Sequence, residues 1–209
     1  MVTRRRVVAG SIGGLLLSGL GTDAFGAAAA ASEPLMALPG KLPLIKRTFR
    51  PPNYETPLAD LRPQITANDS FFVRYHLASI PEIDAGAWRL RIGGASAQRT
   101  LELSLDDLKR DFERVRLAAI NQCSGNRRGL FTPRAGGVQW TYGAMGNAVW
   151  GGVRLRDVLK RVGVNGDALE VVCDGGDGAA LPGTPDFVKS LPVDRALDEH
   201  TLIAFEMNG

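Results

Sequence analysis

Two cysteines and two histidines are all that 209 residues provide, and that scarcity closes several chemical routes. There is no Cys-x-x-Cys and no His-x-x-x-His, so the ligand spacing of a structural or catalytic zinc site is missing. No Cys-x-x-Cys-His offers covalent haem attachment, so no haem is expected on this chain. No Gly-x-Gly-x-x-Gly joins a strand to a helix, and neither a Walker lysine nor a Gly-x-Ser-x-Gly elbow occurs. Long hydrophobic runs are lacking too. The apolar run Val7 to Leu20 has 14 residues and is rich in glycine, short of the roughly 20 that span a bilayer, so no stable membrane span is expected. Without a basic run to track phosphates, nucleic acid is not an expected partner.

The first 31 residues account for most of the basic character. Arg4, Arg5 and Arg6 precede the apolar run, and an Ala-rich stretch follows it, which is the layout of an export signal. Consecutive arginines before a weakly hydrophobic run read as a twin-arginine signal, implying periplasmic export in the folded state through the twin-arginine machinery. Without residues 1–31 the chain carries 22 basic and 21 acidic residues and is nearly neutral.

Residues 32–70 are Pro-rich and read as an irregular arm across a domain surface rather than a core element. From residue 71 onward the patterns are regular. Residues 70–79, SFFVRYHLAS, read as a strand. In 87–94 Trp88, Leu90 and Ile92 alternate with Arg89 and Arg91. Ser104 and Asp107 form a capping box ahead of LDDLKRDF, and the paired Asp106 and Asp107 belong to that helix's solvated face. RVRLAAINQ is a further strand, ending at Cys123. Eight glycines between residues 125 and 152 predict a long loop wrapped closely around something. Leu155, Val158, Leu159 and Val162 then fall on one helical stripe closed by Gly163. ALEVVCDG and TLIAFEMNG read as two more strands. Strands and short helices without a βαβ rhythm predict an α+β fold with a mixed sheet. The chain stops at Asn208-Gly209 directly after a strand, which reads as a domain incomplete at its C-terminus.

Cys123 stands out because it sits in the polar turn CSGNRRG, beside Arg127 and Arg128, not among apolar neighbours. Guanidinium groups and backbone N–H dipoles there favour a thiolate, which can serve as a nucleophile, a redox sensor or a soft metal ligand. With no third group positioned to activate a nucleophile, a metal ligand is the more economical reading. A disulfide to Cys173 remains open in an exported protein. On a strand Arg74 and His76 share a face. Together with Arg128 they suit an oxyanion, because arginine offers a planar fork of donors. Pairing of Arg74 and Arg128 with surface carboxylates is the plainer alternative.

Five segments in order carry a resemblance: FFVRYH (71–76), CSGNRRG (123–129), GAMGNAVWGGVRLRDVL (143–159), GGDG (175–178) and LIAFEMNG (202–209). Together the sequence resembles the sulfite oxidase family of molybdenum enzymes, especially bacterial periplasmic sulfite dehydrogenases. The resemblance implies a molybdopterin cofactor with Cys123 as the protein's metal ligand, its glycine-rich turn letting the backbone approach the metal centre. It implies cofactor contacts from Phe72, Val73, Arg74, Tyr75, His76 and Asp177, the last also readable as a plain turn residue. Arg74, His76 and Arg128 would face the substrate. The implied reaction is the oxidation of sulfite to sulfate, with electrons leaving singly to a separate c-type cytochrome or haem subunit. An active-site tyrosine, further cofactor contacts and an immunoglobulin-like dimerisation domain would lie beyond Gly209, so a homodimer is expected only with that domain. Two alternatives stand beside this reading: a periplasmic sulfoxide reductase of the same fold, and a cofactor-free exported binding domain with a Cys123–Cys173 disulfide.

Overall fold

The Pro-rich segment is woven into the fold instead of lying across it. The computed structural model describes residues 35–77, 82–179, 183 and 187–209; the signal read over residues 1–31 lies outside the described residues. Strands β1 (Leu35–Met36), β2 (Leu44–Thr48) and β3 (Asn53–Glu55) form an antiparallel meander with β4 (Val73–Arg74). Leu44, Asn53 and Tyr54 are fully buried there, and Glu55 and Thr56 are nearly so. The arm expectation is corrected for a simple reason. Pro39, Pro43, Pro51, Pro52 and Pro57 fall between the strands, where a missing N–H costs no ladder bond. Pro52 also limits β4, which the sequence predicts over 70–79. Its ladder runs Tyr54↔Val73 and Asn53↔Arg74 and then meets Pro52. Pro52 accepts from the Tyr75 N–H at 3.2 Å but has no N–H to return.

Next come the hairpin β5 (Arg89–Ile92) and β6 (Leu101–Ser104), helix α1 (Leu105–Asp111) and β7 (Arg114–Gln122). The capping box is formed: the Ser104 hydroxyl accepts from the Asp107 N–H, and the Asp107 carboxylate accepts from the Ser104 N–H. Hydrogen bonds from Ser104 and Arg110 hold that carboxyl well below the usual range. Ser104→Ala is expected to cost about 1 kcal/mol of stability in chemical denaturation, as loss of an N-cap usually does.

After the cysteine the long loop ends early. Residues 145–154 form a ten-residue strand, β8 (Met145–Arg154), which pairs along all of β7 and on its other side with β11 (Leu202–Met207). Its glycines mark crowding, not a loop. A Cβ on Gly152 would stand 2.1 Å from the Ile203 carbonyl oxygen, so only glycine lets the backbones meet that closely. Helix α2 (Leu155–Val162) buries the predicted stripe and ends on Gly163 at φ 76°. The hairpin β9 (Glu170–Cys173) and β10 (Lys189–Pro192) and the short α3 (Val193–Ala196) complete the described elements.

Helices α1 and α2 pack on strands from several elements, giving one cluster around Leu103, Leu108, Val153 and Val158 and another around Leu155, Leu159 and Ala196. Ile92 and Ile203 touch both. The sheet-dominated domain with few helices is the α+β class expected. These two clusters lie at the α1–α2 end, away from the β7–β8 end where Cys123 emerges.

Candidate functional site

Cys123 follows the last residue of β7, and its N–H bonds the Ala144 carbonyl at 2.9 Å, continuing the ladder just ahead of β8. The turn after it is tied down at each step. The Asn126 N–H donates back to the Cys123 carbonyl, and the Asn126 side chain accepts from the Ala144 N–H at 3.2 Å and donates to the Tyr142 carbonyl at 3.1 Å. Arg127 and Gly129 donate to the Thr141 and Trp140 carbonyls. A half-buried thiol is thus presented on a rigid turn at a sheet end.

Beneath that turn sits Glu55, 1% exposed. It accepts from Arg47 Nε at 2.6 Å, the Thr141 N–H at 2.9 Å, the Gly143 N–H at 2.7 Å and the Thr141 hydroxyl. Arg47 Nη2 also donates to the Thr141 hydroxyl oxygen at 2.7 Å. Burial alone would raise the Glu55 pKa, but the hydrogen bonds from Arg47, Thr141 and Gly143 outweigh it and hold the group below its ordinary value.

A cleft of about 410 Å³ opens beside the thiol, lined by Cys123, Arg74, Lys41, Phe72, Trp150 and Asn121, with Phe71 and Met207. Strand alternation decides what β4 offers it. Phe72 and Arg74 line this cleft, whereas Val73 lines a second cavity with Leu38, Phe49, Arg50 and Tyr54. Aromatic rings stiffen the wall: Phe71 stacks on Phe72 and meets Trp150 edge-on.

The expected substrate face is only partly assembled. Arg74 is exposed at the cleft, its guanidinium donating to the Tyr75 carbonyl. His76 lies past the end of β4, so the strand face no longer governs it, and it does not line the cleft. Its Nε2 lies 3.0 Å from Asp177 Oδ2, off the direction of a good hydrogen bond, and its ring stacks on Phe187 with centroids 5.0 Å apart. Tyr75 packs on His76, and burial, with Asp177's charge, pushes its hydroxyl up. His76, Tyr75 and Asp177 therefore form their own cluster, joining the strand motif to the GGDG turn.

Arg128 is also elsewhere. Its Nη1 donates to the Val138 carbonyl at 3.3 Å, and its guanidinium fills the space where Cβ atoms on Gly125 and Gly137 would stand, at 2.6 and 2.5 Å. These two glycines make room for the arginine. Cys123 and Cys173 are both free thiols, so the disulfide is not formed. The sequence reading overlooked Lys41, Asn121, Trp150, Met207 and Glu55. Lys41 and Glu55 sit in the segment taken for an arm, and no local pattern marks them.

Among the described residues no three His, Cys, Asp or Glu side chains converge. Residues 76–209 match the oxidoreductase molybdopterin binding domain family. The chain belongs to that family. It is 38% identical over 185 residues to human mitochondrial sulfite oxidase, covering 85% of this chain and 33% of that protein. It is 36% identical over 199 residues to chicken sulfite oxidase, covering 91% and 42%. It is 33% identical over 178 residues to the nitrate reductase [NAD(P)H] of Hordeum vulgare, covering 79% and 19%. The fold matches the sulfane dehydrogenase SoxCD of Paracoccus pantotrophus with a TM-score of 0.66 at 24% identity, over 90% of this chain and 48% of that one. The chain thus spans from about a fifth to about a half of the length of these relatives.

The side chains lining the cleft fit the cofactor of a molybdopterin-binding domain. Cys123 would offer one soft ligand, Arg74 and Lys41 would offer cations for oxygen anions, and Phe72 and Trp150 form apolar wall. No described helix is long and apolar enough to cross a membrane.

Proposed function

We propose that the domain oxidises sulfite to sulfate in the periplasm, passing electrons to a c-type cytochrome. The observation that carries this reading is one cleft holding a rigidly presented thiol, Cys123, beside the exposed guanidinium of Arg74. The molybdenum cofactor, when bound, supplies the oxygen atom and takes up the two electrons. Cys123 would hold the metal from the end of β7. Arg74 would hold the anion by charge and a planar fork of donors. The packed rings of Phe71, Phe72 and Trp150 would exclude water on one side, strengthening both interactions. His76 and Asp177 would hold the cofactor-side segment, and Arg128 would act from the turn behind Cys123.

Elemental analysis of the full-length protein from a cofactor-making host is the first test, followed by a sulfite–cytochrome c assay. About one molybdenum per chain with sulfite-dependent reduction is expected; folded protein without molybdenum would sink the reading. Arg74→Gln is expected to raise the sulfite KM by the equivalent of about 1.5–3 kcal/mol, one charge-assisted hydrogen bond, with kcat changed less. An unchanged KM would remove Arg74 from the substrate site. For localisation, the mature N-terminus in periplasmic extract should begin after the Ala-rich stretch. An intact N-terminus in the cytoplasm would refute export.

The likeness to the Hordeum vulgare nitrate reductase favours a second reading, reduction of an oxyanion in the same cleft. Nitrate-dependent oxidation of a reduced dye, with no turnover of sulfite, would select it.

A further inference from the structure

Lys41 is a charged residue of the cleft that no sequence pattern marked. It lies between β1 and β2, and its ammonium donates to the Phe71 carbonyl at 3.1 Å and to the Asn68 carbonyl. Both carbonyls belong to the turn that leads into β4, so Lys41 fastens the segment that delivers Phe72 and Arg74. An ammonium has three N–H donors, and these two bonds leave one over. Among the described residues no carboxylate pairs with it at ion-pair distance; Asp69 attracts it only from farther off. Burial lowers its pKa, and Asp69 offsets part of that. A partly dehydrated cation with a spare donor, in the same wall as Arg74 and Cys123, favours an anionic occupant.

We infer that Lys41 binds a multiply charged oxygen anion in the cleft, adding a point charge and one donor to the fork of Arg74. The inference rests on the proposed reading of the cleft as the active site. A free oxyanion and the phosphate of the bound cofactor share this chemistry, and the test separates them.

The experiment is reductive methylation of the full-length protein, read by mass spectrometry at Lys41 with the exposed Lys46 as internal control. It is run on protein from hosts with and without cofactor synthesis, in sulfate and in chloride of matched ionic strength. Protection of Lys41 by sulfate in both forms supports a free oxyanion as the ligand. Protection by sulfate only in the cofactor-free form, with Lys41 already protected in the loaded form, supports the cofactor phosphate. Equal labelling of Lys41 under all conditions overturns the inference. By calorimetry Lys41→Gln is expected to weaken sulfate binding to cofactor-free protein by about tenfold or more, as loss of a charged hydrogen bond implies. Unchanged affinity in a folded variant also overturns it. If the variant does not fold, the wild-type labelling decides alone. Wild-type protein lacking molybdenum from a competent host would refute the proposed function, yet sulfate protection of Lys41 would still be read independently.

Discussion

Cys123→Ser is expected to abolish molybdenum-dependent turnover while leaving the domain folded. The side chain is half-buried at the end of β7, and the backbone bonds that shape its turn, to Ala144 and from Asn126, do not involve sulfur. Serine keeps the size but replaces a soft, readily ionised donor with a hard alcohol. Changing only the outer partners of a metal ligand costs about 10–100-fold, so losing the ligand itself should cost at least the upper end of that range. Circular dichroism and Tm should stay close to wild type. The measurements are molybdenum content and turnover on the same preparation. Wild-type turnover in the serine variant would disprove the ligand assignment.

Glu55→Ala is expected to be the most destabilising single change at the site. It removes the shared acceptor of Arg47, two backbone N–H groups and the Thr141 hydroxyl, and with it the buried carboxylate end of the Arg47–Glu55 pair. Breaking such a buried pair from one side costs about 3–5 kcal/mol. For a domain of this size that is a drop in Tm on the order of 10 °C. The loss should reach Cys123 as well, because the 141–144 segment held by Glu55 carries the carbonyl that accepts from the Cys123 N–H.

The pH dependence gives this a sign. Glu55 titrates below its ordinary value when folded, so its contribution is complete above the unfolded carboxylate's pKa of about 4.3 and is lost as pH falls through the folded value. The Tm gap between wild type and Glu55→Gln should therefore be widest near neutral pH and narrow in acid. A gap independent of pH would show that the carboxylate's charge is not what holds the segment.

Where neighbouring residues act on one another, the structure agrees with the sequence. The α2 stripe, the Ser104–Asp107 capping box, the alternation of β5 and the extent of β7 with its terminal cysteine all rest on short-range periodicity or side-chain chemistry. The misreadings share one cause, contact with distant chain. Gly152 and its neighbours looked like loop because glycine weakens a strand signal, yet they are spaced for the close approach of β11. Prolines from 39 to 57 looked like an arm because their position between strands shows only once the strands pair.

The sequence by itself determined the family, through motifs whose order and composition survive without coordinates, and it singled out the one cysteine in a polar turn, which lines the cleft. Which side chains join that thiol was decided only by tertiary structure. Lys41 and Arg74 reach Cys123's cleft because the β1–β4 meander packs against the ends of β7 and β8. His76 and Arg128 turn to Asp177 and to the Gly125–Gly137 gap instead. The physical reason is range. Helix and strand periods are set by neighbours a few residues apart, whereas a cleft wall is set by strand register and packing between segments tens of residues apart.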